Sequence, residues 1–159
     1  MAARKGSKAG APAGRPGPGE FVRYPGGPSA VYDVLERLTA AAGDSPDFGT
    51  AGIGLDRKRL VVRWFGELPG PVQAVLREHP GVEVVVQQTE YRPGELAAEA
   101  SRLAAEHADV VAAATARPEG DGIEVLVLPA AGDPEQALTA AGVASTFPLF
   151  AEVGEVPPA

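Results

Sequence analysis

Arg59-Leu-Val-Val-Arg-Trp-Phe-Gly66 and Gly81-Val-Glu-Val-Val-Val-Gln-Gln-Thr-Glu-Tyr91 carry the clearest periodic pattern in the chain. In the first stretch Leu60, Val62 and Trp64 alternate with Val61, Arg63 and Phe65, and successive side chains of a strand point to opposite faces. Both sets are mostly apolar, which predicts an inner strand. In the second, Val82, Val84 and Val86 alternate with Glu83, Val85 and Gln87. Between them Gly66-Glu-Leu-Pro-Gly-Pro71 breaks the strand and opens a helix with the stripe Val72, Val75 and Leu76, stopped at His79-Pro-Gly81. Strand, helix and strand in so short a span predict one βαβ unit with parallel strands.

Working outward toward the N-terminus, Ala51–Asp56 reads as a further strand, joined to Leu60–Phe65 by the polar turn Arg57-Lys-Arg59. Val31, Val34, Leu35 and Leu38 fall at i, i+3, i+4 and i+7, which predicts an amphipathic helix from a Ser29 cap to about Ala42. Of the 16 Pro and 20 Gly, many lie in the first 28 residues. That segment is rich in Gly, Pro and basic residues and is expected to be disordered, with Phe21, Val22 and Tyr24 as a small apolar group near its end.

Toward the C-terminus, Pro93 opens a helix with Leu96, Ala100, Leu103 and His107 along one side. Val110–Arg117 and Ile123–Leu128 read as strands of a hairpin around Pro118-Glu-Gly-Asp-Gly122, with the alanine run 112–114 weakening the first. Asp133 is a helix cap, Pro134 suits the first helical position, and Gly142 ends a short helix. Ser145–Val153 reads as a last strand with Phe147, Leu149 and Ala151 on one side, confined to an edge by Pro148. The expected organisation is a tail over 1–28, a helix and loop over 29–48, an α+β domain over 49–153 and a tail over 154–159.

Leu60–Gln88 and Ile123–Val153 echo each other as strand, Pro-started helix, Gly stop and strand. Two split βαβ units with interleaved strands would give a ferredoxin-like α+β sheet with helices mainly on one face.

Net charge narrows the partners. The first 24 residues carry Arg4, Lys5, Lys8, Arg15 and Arg23 against Glu20, so +4 of the formal −7, and the other 135 residues carry −11. An acidic folded surface does not neutralise nucleic-acid phosphates. No stretch approaches the roughly 18 apolar residues of a membrane span, and Ala9–Gly19 is no apolar signal core. The chain as written is expected to be soluble and cytoplasmic; a misassigned start would leave export open. With no cysteine, disulfides and thiolate sites are excluded.

The strings LVVRWFGELPGPVQAVL (60–76), GVEVVVQQTEYRPGELAAEASRL (81–103), ARPEGDGIEVLV (116–127) and ALTAAGV (137–143) carry a family resemblance. They resemble the α+β pro-domain that precedes the catalytic domain in actinobacterial chymotrypsin-like serine proteases of the streptogrisin and α-lytic type, and related stand-alone domains. The matching features are Trp64 with Gly66 and Pro69, Tyr91, Glu95 with Leu96, and Gly120–Val125, over about residues 51–153. The resemblance implies the fold, an actinobacterial source and a serine protease or a secreted or regulatory protein as partner.

No residue pattern points to catalysis. His79 and His107 end helices, where imidazole complements the helix dipole, and neither has a second ligand at metal-binding spacing. Gly49-Thr-Ala-Gly-Ile-Gly54 matches no phosphate-loop pattern and precedes a strand. Ser29, Ser45, Ser101 and Ser145 lack a nucleophile elbow, and Glu95, Glu99 and Glu106 belong to a solvated helix face. Neither cofactor nor metal is expected. Trp64 reads first as core. If the sheet's open face is accessible, Trp64, Arg63, Gln87 or Gln88, and Tyr91 would present a surface to another protein. The expected function is therefore a non-enzymatic protein-interaction module using a sheet face or an edge strand, with a small-molecule-sensing regulatory domain as the alternative and an unrecognised enzyme third.

Overall fold

Leu60, Val62 and Trp64 are completely buried while Val61 and Arg63 on the opposite side are half-buried, so the alternation in this strand sorts a helix-covered face from an open one. The computed structural model describes residues 30–79 and 81–154. The expected tail over 1–28, the Ser29 cap and residues 155–159 lie outside the described residues. The elements in chain order are α1 (Ala30–Ala42), β1 (Gly52–Ile53), β2 (Arg59–Trp64), α2 (Gly70–Arg77) and β3 (Glu83–Gln88), then α3 (Pro93–Glu106), β4 (Val111–Ala116), β5 (Ile123–Val127), α4 (Pro134–Ala140) and β6 (Leu149–Val153). A short 3-10 turn, Pro129–Ala131, precedes α4.

The fold is α+β, and the strands form two three-stranded sheets, ordered β1-β2-β3 and β4-β5-β6. In each, the first pair is antiparallel and the second, joined by a helix, is parallel. The βαβ reading of Leu60–Tyr91 and the hairpin reading of Val110–Leu128 both hold. The expected ferredoxin-like sheet of interleaved units does not. A split βαβ unit leaves a gap between its parallel strands for a third. Here β2 and β3 are hydrogen-bonded neighbours from Arg59↔Glu83 to Trp64↔Gln88, and β5 and β6 from Ile123↔Leu149 to Val127↔Val153, so neither gap exists. The strand expected over Ala51–Asp56 shortens to two residues, and Ser145–Pro148 is loop, with the Ser145 hydroxyl accepting from the Phe147 amide (3.2 Å).

The echo extends further than one βαβ unit. The whole described chain is αββαβ repeated twice, and each repeat closes its own core. In the first, Val31, Val34 and Leu38 of α1 meet Leu60, Val62, Trp64 and Val72. In the second, Leu96, Ala100 and Leu103 of α3 meet Ile123, Val125, Val127 and Leu138. Each fully buried aliphatic side chain contributes about 1.5–3 kcal/mol. Four residues of the alanine-rich β4, Ala113–Ala116, pair regularly against β5, but the register shifts between Val111 and Ala113, so Ala112 is a bulge. The Asp133 carboxylate accepts from the Gln136 amide (2.9 Å) and caps α4 as expected.

A narrow seam joins the repeats. The Gly94 amide at the start of α3 donates to the Pro46 carbonyl (2.8 Å), and the Tyr91 amide to the Gly120 carbonyl (2.9 Å). Arg92 pairs with Asp47 (2.6 Å) and lies over the Phe65 ring (5.3 Å to its centre). The neighbouring Asp47 carboxylate raises the Arg92 pKa further. Gly120, at φ +71°, sits so close to Thr89 that a Cβ there would fall 2.3 Å from the threonine Cβ.

Candidate interaction surface

The residues singled out in the sequence do not converge. Trp64 has no exposed surface; its ring packs on Phe48 (5.8 Å between centres) and its indole N–H donates to the Glu67 carbonyl (3.2 Å). It is a core residue and is withdrawn from any surface, because strand alternation turns it toward the helices. Gln88 is its registered neighbour at the end of β3, where the side-chain oxygen accepts from the Gly66 amide (3.1 Å). Tyr91 leaves the first sheet altogether and packs edge-on against Phe147 of the second core (5.3 Å). Burial there, with the adjacent Glu90 carboxylate, raises its phenol pKa. Arg63 does stand on the open face, beside Gln87, with one guanidinium nitrogen donating to the Thr50 carbonyl (3.3 Å) and its Nε buried without a partner.

The two histidines stay apart. His79 follows α2, and His107 caps α3 through its backbone, its amide donating to the Leu103 carbonyl (3.1 Å). Among the described residues no group of three or more His, Asp or Glu side chains is placed to hold a metal ion. Also among them, no helix is long and apolar enough to cross a membrane.

The open face of the second sheet carries a denser arrangement. Alternation in β6 buries the Leu149 and Ala151 side partly against the core and turns Phe150 and Glu152 outward. The Arg117 guanidinium stacks on the Phe150 ring (3.8 Å to its centre) and is held by Asp121 (3.3 Å) and Glu119 (3.8 Å). Arg117, Glu119 and Phe150, with Glu124, the registered neighbour of Phe150, and Glu152, line a shallow depression of about 320 Å³. Three carboxylates and one guanidinium line it, so the depression is acidic. The sequence held a signal for it: the same alternation that grouped Phe147, Leu149 and Ala151 assigns Phe150 and Glu152 to the other face. What it could not show was Arg117, brought there from the hairpin turn.

Among the described residues β6 is also a sheet edge. The Ile123 amide donates to the Pro148 carbonyl (2.9 Å) and the Gly154 amide to the Val127 carbonyl (2.9 Å). In a parallel ladder every second residue of a strand bonds to the same neighbour, so Phe150 and Glu152 face β5 with their backbones. The N–H and C=O of Leu149, Ala151 and Val153 point away from the sheet. Natural edges are usually blunted by charged side chains, proline or a bulge; within its span β6 has no proline or bulge and one charge, Glu152, while Phe150 (39%) and Val153 (49%) are exposed.

A second depression, of about 350 Å³, lies along the seam between the repeats, lined by Phe48, Thr50, Pro93, Ala97 and Arg117 among others.

No family model matches the chain, and no curated protein or solved structure shows significant similarity to it.

Proposed function

We propose that the chain is a non-catalytic protein-binding module that takes an extended segment of a partner protein along β6. The observation that carries this reading is an edge strand without proline or bulge and with two exposed apolar side chains, Phe150 and Val153. Backbone groups of Leu149, Ala151 and Val153 supply affinity by strand addition, and the adjoining open face selects side chains. Next to Phe150 an apolar group is favoured; next to Glu124 and Glu152 a basic one. The sequence resemblance to protease pro-domains, carried by Trp64, Gly66, Pro69, Tyr91 and Gly120–Val125, supports a serine protease as the partner class.

Ala151→Pro tests the strand-addition step. Its amide points out of the sheet, so proline there removes a donor for the partner and no bond of the ladder. Partner capture by the purified protein is expected to fall at least about tenfold with circular dichroism unchanged. Capture that is indifferent to Ala151→Pro and to Phe150→Ser, or turnover of a substrate by the domain alone, overturns the reading.

The depression along the seam favours a second reading, a small-molecule-sensing domain, since its volume is within the range of ligand pockets and it combines apolar Phe48 and Pro93 with one cation, Arg117. A rise in melting temperature with a small anionic aromatic compound, lost in Phe48→Ser, distinguishes it from strand addition.

A further inference from the structure

The two repeats correspond residue by residue as well as element by element. One constant shift along the chain carries the first hairpin onto the second: Gly52↔Val61 and Ile53↔Leu60 become Thr115↔Glu124 and Ala116↔Ile123. The turns follow the same shift. The Gly54 amide donates to the Arg59 carbonyl (2.8 Å) and the Arg57 amide to the Gly54 carbonyl (2.8 Å), as the Arg117 amide does to Gly122 (3.0 Å) and the Gly120 amide to Arg117 (2.9 Å). Arg57, at φ +56°, is thus the counterpart of Gly120 at +71°. Where the strands end, the bonds from the Phe65 amide to Asp47 (2.9 Å) and from the Thr89 amide to Trp64 (3.0 Å) recur as Leu128 to Val110 (2.9 Å) and Gly154 to Val127 (2.9 Å).

The seam joins unlike faces of these equivalent units. The first repeat contributes the end where its strands finish, with Asp47, Phe65 and Thr89; the second contributes its hairpin turn and the start of α3, with Gly120, Arg92 and Gly94. Such a contact is head-to-tail. The same two faces recur at the ends of the molecule, as the hairpin turn of the first repeat and the strand ends of the second.

Those end faces match one another. Residues 55–59 are exposed, Leu55 completely. Leu55 is the counterpart of Pro118, which lines the seam depression together with Gly49; the counterpart of Gly49 is Ala112, the exposed bulge residue of β4. In the seam a Cβ on Gly120 would fall 2.3 Å from that of Thr89, so only one of the two positions carries a side chain. The ends keep that rule in the opposite order, with Arg57 on the turn and Gly154 past the strand. Charge agrees as well: the turn holds Arg57, Lys58 and Arg59 against Asp56, and the far end carries exposed Asp109 and Asp133.

We propose that the turn over residues 54–59 of one molecule docks on the strand ends of the second repeat of another copy, repeating the seam between chains. Leu55 then covers Ala112, and Arg57 takes the space beside Gly154. Because the contact is heterologous, each added chain brings a fresh turn and a fresh end, and the product is a head-to-tail string or ring. This surface is separate from the strand-addition edge of β6 and stands whether or not that edge takes a partner.

Sedimentation equilibrium on the full chain and two variants tests the contact. The average mass of the unmodified chain is expected to rise with concentration from the 16.2 kDa of one chain to beyond twice that value. Leu55→Asp damages only the turn and Ala112→Arg only the far end; both sites are exposed, and unchanged circular dichroism reports that each variant is folded. Each variant alone should need at least about tenfold higher concentration to associate. Mixed in equal amounts, they should form a dimer and nothing larger, through the intact end of the first and the intact turn of the second. A constant 16.2 kDa for the unmodified chain up to about 1 mM overturns the proposal. So does association that stops at a dimer, that either variant retains alone, or that mixing the two variants does not restore.

Discussion

Trp64 gathers the first repeat around itself: its ring fills the core under α1, and its N–H is spent on the Glu67 carbonyl just past the strand. Trp64→Ala is expected to cost about 3–5 kcal/mol in urea unfolding, the range for truncating a large buried aromatic. Trp64→Phe should cost less, since most of the volume stays and only the hydrogen bond and one ring edge are lost. Gly120 is constrained from the opposite direction. A left-handed φ and the contact with Thr89 both reject a side chain, so Gly120→Ala is expected to cost about 2–4 kcal/mol, checked in the same unfolding experiment. The two positions differ in how they are seen. Trp64 announces its burial through its alternation with Arg63, whereas Gly120 could be read only as a turn residue, because its neighbour Thr89 lies far away in sequence.

At the scale of elements, α3 is tied to the loop before β6 by a compact charged cluster. Arg102 donates to both Glu99 oxygens (2.8 and 2.7 Å), to Glu106 and to the Ala144 carbonyl (3.0 Å). Hydrogen bonds from Arg102, then from Ser145, hold the Glu99 carboxyl at about 2, well below the ordinary 4.5. A carboxylate with a depressed folded pKa stabilises above its ordinary pKa, and that contribution is lost as pH falls from about 4.5 toward 2. NMR titration of the Glu99 carboxyl should show this low midpoint, and Arg102→Ala should move it up toward the ordinary value. Glu99 reads in the sequence as a solvated helix residue, since its partner Ser145 is distant in sequence and lies in a loop where a strand was expected. Elements with local causes were legible: the α1 and α3 stripes, the Pro-started helices, the Asp133 cap, both parallel pairs and the hairpin. Whether the parallel strands were adjacent or split was not, because alternation fixes which face a side chain takes and leaves open which strand lies beside it. One sheet of interleaved strands and two separate sheets satisfy the same local pattern. The Phe150 surface was half legible, its ring from alternation and the Arg117 stacked on it from tertiary structure alone.

Across the whole molecule, two αββαβ repeats with separate cores meet at a seam of few contacts. Asp47 and Arg92 form its principal ion pair, partly shielded, with Arg92 also lying over Phe65. A double-mutant cycle on Asp47→Ala and Arg92→Ala is expected to give a coupling of about 0.5–1 kcal/mol, reduced by added salt. A coupling near zero would place the cohesion of the seam in Gly94, Gly120 and their backbone bonds instead. The chain's single tryptophan, enclosed in one of the two cores, gives the molecule an optical asymmetry. Indole emission reports the melting of the first repeat alone, while far-ultraviolet ellipticity sums over both. If the seam is strong the two signals trace one curve against denaturant. If it is weak the curves separate, and their separation measures how far one half of the chain can come apart while the other stays folded.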